Sequence, residues 1–311
     1  MSRFVKLLVR DDSSTIGTVG GGALEAEVLR AAQEVLASGQ PRLMEFDLDA
    51  GGAASLGVIC GGRCAIFLEP VEPGSAEEVF AAAGLAQAMD LPIAVITTFS
   101  EGAAAKIALS ADGTVIGSTG DAATDEALLH EARAALSDGR PRYLEQPVIA
   151  HIDPILARPG LFIFGAGHIA VPLAQIAGIA GLSVTVIDDR AEFANRERFP
   201  GADQVLVAGI EGAFADLRID EDSYLVAVTR GHIMDEEVVA AALQAGARYV
   251  GMIGSKRKVA EVRRRLLERG FSRDQVEGVH APIGLDIGAD TVEEIAVSIV
   301  AELIAERRKA D

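Results

Sequence analysis

An apolar run ending at Phe164 leads into Gly165, Gly167 and Ala170, the spacing G-x-G-x-x-A, and helical periodicity follows. The first glycine permits a tight turn, the second lets a pyrophosphate approach the backbone, and a small third residue lets the helix pack closely on the strand. A helix start adds partial positive charge, so these residues together suit the holding of a phosphate. Asp188 closes the next apolar run, 21 residues after Gly167, about where a carboxylate accepts from ribose hydroxyls; Asp189 and Arg190 follow it. His168 lies inside the turn, able to touch a ligand or to cap the helix. Arg230, His232 and Asp235 follow the run "YLVAV", at the carboxyl edge of the expected sheet, where ligands of open α/β folds bind. Asp235 equally suits a helix cap. Lys256, Arg257 and Lys258 offer either an anion contact or a solvated helix face.

A second cluster sits near the start. Gly20, Gly21 and Gly22 stand in a row before a helical pattern, which implies positive φ or the close approach of something large. Glu25 follows, placed to cap that helix or to bond a ligand. Cys60 precedes Gly61 and Gly62, where a thiolate on an open backbone could meet a metal or a sulfur donor. Cys64 lies in "CAIFLEP" and reads as buried. Two cysteines alone fall short of a four-ligand zinc site.

The elements that carry these residues fall into two classes. Laying residues 4–45 over 104–145 without a gap matches Lys6 with Lys106, Gly17 with Gly117, Gly20 with Gly120, Gly39 with Gly139 and Pro41 with Pro141. Each copy reads strand, turn, strand, helix, then a Gly-x-Pro stop, so residues 1–150 form an α+β domain built from a duplicated strand-strand-helix unit. The second copy follows a further strand-like run, "LPIAVITTF", whose counterpart in the first copy is missing, lies outside this sequence, or comes from a partner. The stretch 147–160, with three prolines and no period, reads as the boundary. From residue 158 to 311 five apolar runs alternate with helical segments, among them 169–180, 234–246 and 256–269, which predicts an α/β, Rossmann-like doubly wound domain.

Asp and Glu number 46 against 28 Lys and Arg, a net charge of −18, which argues against nucleic acid or an anionic membrane surface as partner. No signal-peptide core or long apolar span is visible, so a cytoplasmic protein is expected.

Taken in order, "GTVGGGALE", "CGG", "FGAGHIA", "DDRAEFANRERFP", "VTRGH", "YVGMIGSKRK" and "APIGLDIGADTVEEIAVSIVAELIA" resemble the XdhC/CoxI family, over nearly the whole chain. The resemblance implies a chaperone that binds the molybdenum cofactor, as molybdopterin or its dinucleotide form. Such a chaperone shields the cofactor while a NifS-like cysteine desulfurase adds the sulfido ligand, and hands it to an apo xanthine dehydrogenase-type molybdenum hydroxylase. Gly20, Gly21 and Gly22 would admit the pterin or metal end, Cys60 could touch the molybdenum, and the Gly165–Ala170 turn would take the phosphate end. An exposed sheet edge in the first repeat makes a homodimer reasonable. Two other readings remain open: an NAD-dependent oxidoreductase with His232 as acid/base, and a scaffold that docks desulfurase to hydroxylase.

Overall fold

The computed structural model describes residues 5–47, 63–71, 74, 76–99 and 104–309. The chain divides into two compact units, Met1–Ala157 and Arg158–Asp311.

In the first unit the duplication is visible element by element. The first copy consists of β1 (Leu7–Val9), β2 (Thr15–Gly17), α1 (Gly22–Ser38) and β3 (Arg42–Asp47), followed by β4 (Arg63–Leu68), α2 (Glu77–Ala88) and β5 (Ile93–Phe99). One hundred residues on, the second copy repeats the pattern as β6 (Lys106–Ser110), β7 (Val115–Ile116), α3 (Ala122–Asp138) and β8 (Arg142–Leu144). Both long helices end on a left-handed glycine, Gly39 at φ 68° and Gly139 at φ 69°, and proline two residues later forbids continuation. Gly17 and Gly117 also match: a Cβ on either would fall 2.3 or 2.2 Å from the carbonyl oxygen of Lys6 or Lys106.

The boundary stretch 147–160 departs from its aperiodic reading. Ile149–Ile155 forms β9, a strand of the first unit, in which buried Ala150 and Ile152 alternate with His151 and Asp153. Its prolines are harmless, because Pro147 precedes the strand and Pro154 is next to its end.

The second half forms the antiparallel sheet β7-β6-β5-β9-β8, with β5 in the middle. Alternate residues of β5 serve its two faces: Ala94 and Ile96 join the core under α3, and Ile93 the core under α2. The first half lacks such a centre. Arg42 of β3 faces Leu68 of β4 as Arg142 of β8 faces Ile152 of β9, so β4 takes the role of β9. Its strands form two separate ribbons, β1-β2 and β3-β4, both packed on the core of α1 through Leu7, Met44 and Ile66. Among the described residues no strand pairs with the free edges of β1 and β4, and Leu8 and Ile16 are exposed where the second copy has α2 to cover Ala108 and Ile116.

Two ion pairs tie the copies together reciprocally. Lys6 of the first pairs with Asp153 beyond the second, and Lys106 of the second pairs with Glu69 beyond the first. Asp153 and Glu69 are themselves equivalent, each one residue past the strand partner of Arg142 or Arg42.

The second unit is a five-stranded parallel sheet, ordered β12-β11-β10-β13-β14, from β10 (Gly160–Phe164), β11 (Ser183–Asp188), β12 (Gln204–Val207), β13 (Tyr224–Ala227) and β14 (Tyr249–Met252). The connecting helices are α4 (Ala170–Ile179), α5 (Ile210–Asp216), α6 (His232–Ala245), α7 (Lys256–Glu268) and α8 (Arg273–Glu277), and α9 (Val292–Lys309) closes the chain. The central strand β10 is apolar on both faces. Leu161 and Ile163 point into the layer of α4 and α9, while Phe162 and Phe164 point into that of α6 and α7. This is the doubly wound Rossmann-like order, and the winding reverses between β10 and β13, leaving a crevice at their carboxyl ends.

Candidate functional site

The turn after β10 is built on two glycines that do different work. Gly165 has φ 107°, its N–H donates to the Ile187 carbonyl at 2.7 Å, and a Cβ there would lie 2.6 Å from the Val228 carbonyl oxygen. The neighbouring strand therefore demands this glycine, whatever binds. A Cβ on Gly167 would meet nothing within 4 Å, so no protein atom accounts for its smallness. No side chain caps α4, which leaves its first N–H groups to another acceptor, and His168 stands exposed in the same turn.

Asp188 is fully engaged within the protein. Its carboxylate accepts from Ala166 N at 2.9 Å, Arg190 N at 3.1 Å, Arg190 Nε at 2.8 Å and Arg190 Nη2 at 2.9 Å. A carboxylate offers about four lone-pair positions, so none remains for a ribose hydroxyl. Burial would raise this carboxyl, but the Arg190 guanidinium and the Ala166 and Arg190 amides outweigh it and bring it down to about 2. The Arg190 guanidinium lies 3.8 Å over the Phe193 ring, which fixes it further. Arg198 completes the assembly, donating to the Ala166 carbonyl at 2.7 Å and to that of Phe193 at 3.0 Å. Both backbone groups of Ala166, the residue between the two glycines, are thus held by side chains of the "DDRAEFANRERF" segment.

A cleft of about 1350 Å³ opens at the reversal point, lined by Gly165, Asp188, Asp189, Thr229 and Arg230 together with the apolar Phe214 and Met234. Arg230 Nη2 lies 3.4 Å from Asp189, so one ion pair joins the end of β11 to the end of β13. Asp235, fully buried, accepts from Thr229 N at 3.1 Å and Thr229 Oγ1 at 2.6 Å and pairs with Lys258. Asp235 lies in the first turn of α6 but caps none of its N–H groups, holding the preceding Thr229 instead; Lys258 is occupied by it, while Lys256 and Arg257 face solvent. His232 begins α6, and its side chain lies outside the described residues.

In the first unit Gly20, Gly21 and Gly22 have φ of 122°, 74° and 67°, three consecutive values that only glycine adopts readily. Glu25 reaches back to the same loop, its Oε2 accepting from Thr18 Oγ1, Val19 N and Gly21 N. Asp125 repeats the device with Ser118 Oγ, Thr119 N and Thr119 Oγ1. The copies differ at the helix start. Asp121 caps α3 by accepting from Thr124 N at 2.9 Å, whereas α1, with Gly21 at its N-cap, has no side-chain cap.

Cys60, Gly61 and Gly62 lie outside the described residues. Cys64, expected to be buried, is half-buried: it faces Phe46 across the β3-β4 ribbon, and its partial burial pushes the thiol up. Among the described residues no group of His, Cys, Asp and Glu has the arrangement of a metal site, and no helix is long and apolar enough to cross a membrane.

Sequence reasoning passed over Arg198, whose only signal is a second arginine within an aromatic-rich segment. It also passed over Glu302, which accepts from Tyr249 OH and Gly284 N, both at 2.7 Å, and so fastens the "HAPIG" loop to α9.

The family described as the XdhC Rossmann domain matches residues 161–303, and that described as the XdhC and CoxI family matches 5–47 and 92–146. Together these ranges take in well over half of the chain, which belongs to the XdhC and CoxI family. Protein YqeB of Escherichia coli K12 is 28% identical over 306 residues, 98% of this chain and 41% of its own length. A Bacillus subtilis protein described as a probable xanthine dehydrogenase subunit is 31% identical over 184 residues, 59% of this chain and 54% of its own. The chain thus spans about half the length of these relatives. A crystal structure described as a xanthine dehydrogenase from Bacillus halodurans shares the fold, with a TM-score of 0.81 and 24% identity, over 98% of this chain and 86% of that one.

Proposed function

We propose that the protein is a maturation factor for a xanthine dehydrogenase-type molybdenum hydroxylase, with the molybdenum cofactor as its cargo. In this reading it works as a homodimer, shelters the cofactor while a NifS-like cysteine desulfurase sulfurates it, and delivers it to the apo-hydroxylase. Family membership supports the maturation role, and the name of the Bacillus subtilis relative supports the link to a xanthine dehydrogenase. The observation that carries the cargo is Gly167: a glycine with open space at its Cβ, beside an uncapped helix start, fits a phosphate held against the backbone.

Gly167→Val tests the reading with little risk to the fold. The variant is expected to keep the thermal midpoint of the parent and to lose retention of molybdenum and pterin through gel filtration. Unchanged retention would remove the turn from the binding site; retention of NAD in place of pterin by the parent protein would favour the oxidoreductase.

A further inference from the structure

Building on the cradle reading above, we infer that the cleft takes a nucleoside diphosphate whose vicinal hydroxyls are accepted by Asp189, while Asp188 is reserved for holding the glycine turn. Three observations carry this assignment. First, the Asp188 side chain is 6% exposed and its four acceptor positions are filled, three of them by Arg190. Freeing it would break a bidentate guanidinium–carboxylate pair and release Ala166 N from the turn that must meet the phosphate. Second, both carboxylates line the cleft, but Asp189 is the one that leaves the strand end 41% exposed. Its ion pairs are loose, 3.8 Å to Arg190 and 3.4 Å to Arg230, against 2.8–2.9 Å around Asp188. Exposed pairs of this length are weak, so a ligand displaces them at small cost. Third, Arg230 arrives from β13 on the far side of β10, so the Asp189–Arg230 pair spans the mouth above Gly165. Opened by a ligand, this pair yields a carboxylate for two hydroxyls and a guanidinium for a phosphate. Closed, it leaves neither charge without a partner.

The test compares ADP with 2′,3′-dideoxy-ADP by calorimetric titration of the full chain. The parent is expected to prefer ADP by about tenfold or more, as hydrogen bonds to a charged acceptor would give. Asp189→Asn should erase that preference and leave dideoxy-ADP affinity within about twofold. Asp188→Asn should weaken both ligands alike, keep the preference and lower the thermal midpoint. Should Asp188→Asn fold poorly, Arg190→Gln serves instead: it frees Asp188, and an increased preference for ADP in that variant would overturn the assignment. A preference that survives Asp189→Asn but vanishes in Asp188→Asn overturns it too, and leaves the cradle intact. Equal binding of the two nucleotides by the parent overturns the hydroxyl assignment alone, whereas binding of neither overturns the cradle reading and this inference with it.

Discussion

Asp188 shows how a residue that matches a pattern can hold a different job. Its position after Gly167 was readable because strand ends in βαβ units recur at fixed distances. Its saturation was not, because Ala166 lies 22 residues away and only the folded turn brings the two together. The arginine two residues on was the available hint. This pairing has a pH signature. The folded carboxyl sits at about 2, below the ordinary value of about 3.9, so its stabilisation is present above about pH 4 and is lost as pH falls toward 2. Acid titrations followed by circular dichroism should therefore show the parent losing more stability than Asp188→Asn between about pH 4 and 2. Parallel curves would mean that Asp188 contributes no pH-dependent stability. Gly165 and Gly167 are identical letters in the motif, one demanded by the Val228 carbonyl and one by nothing in the protein.

At the scale of elements, the duplication was legible because register, caps and turn glycines are local properties that sequence records directly. The apolar runs of the second unit were legible for a related reason: strands buried on both faces carry no alternation to misread. The strand β9 was not, since three prolines outweighed a four-residue alternation that ends in Asp153. The loop before α1 also changes meaning once its conformation is known. Gly21 has φ 74° and ψ −173°, a region nearly closed to other residues, although a Cβ would touch nothing. Gly21→Ala should accordingly cost about 1–3 kcal/mol by denaturant unfolding, from backbone strain alone. A neutral result would mean that the loop adopts another path when the strain is relieved. The three glycines thus satisfy the backbone first, and any role toward the pterin is added to that requirement.

Across the whole molecule, one half of the first unit completes what the other leaves open. The reciprocal pairs Lys6–Asp153 and Lys106–Glu69 put the two copies in matching relation, as two subunits of a symmetric dimer would be. They differ in burial: Lys106 is 7% exposed and Lys6 is 70% exposed, so the Lys106 pair is structural and the Lys6 pair is largely screened. The free edges of β1 and β4 bring a further consequence, which concerns time rather than shape. Backbone amides on the edges of β6 and β9 are shut behind β5, but their equivalents on β1 and β4 have no strand partner on that side among the described residues. Deuterium uptake should therefore run markedly faster in β1 and β4 than in β6 and β9, within one molecule and under one set of conditions. A strand docked in that position, from whatever chain, would slow the first pair to the pace of the second, which makes the exchange rate of these few amides a clock for assembly.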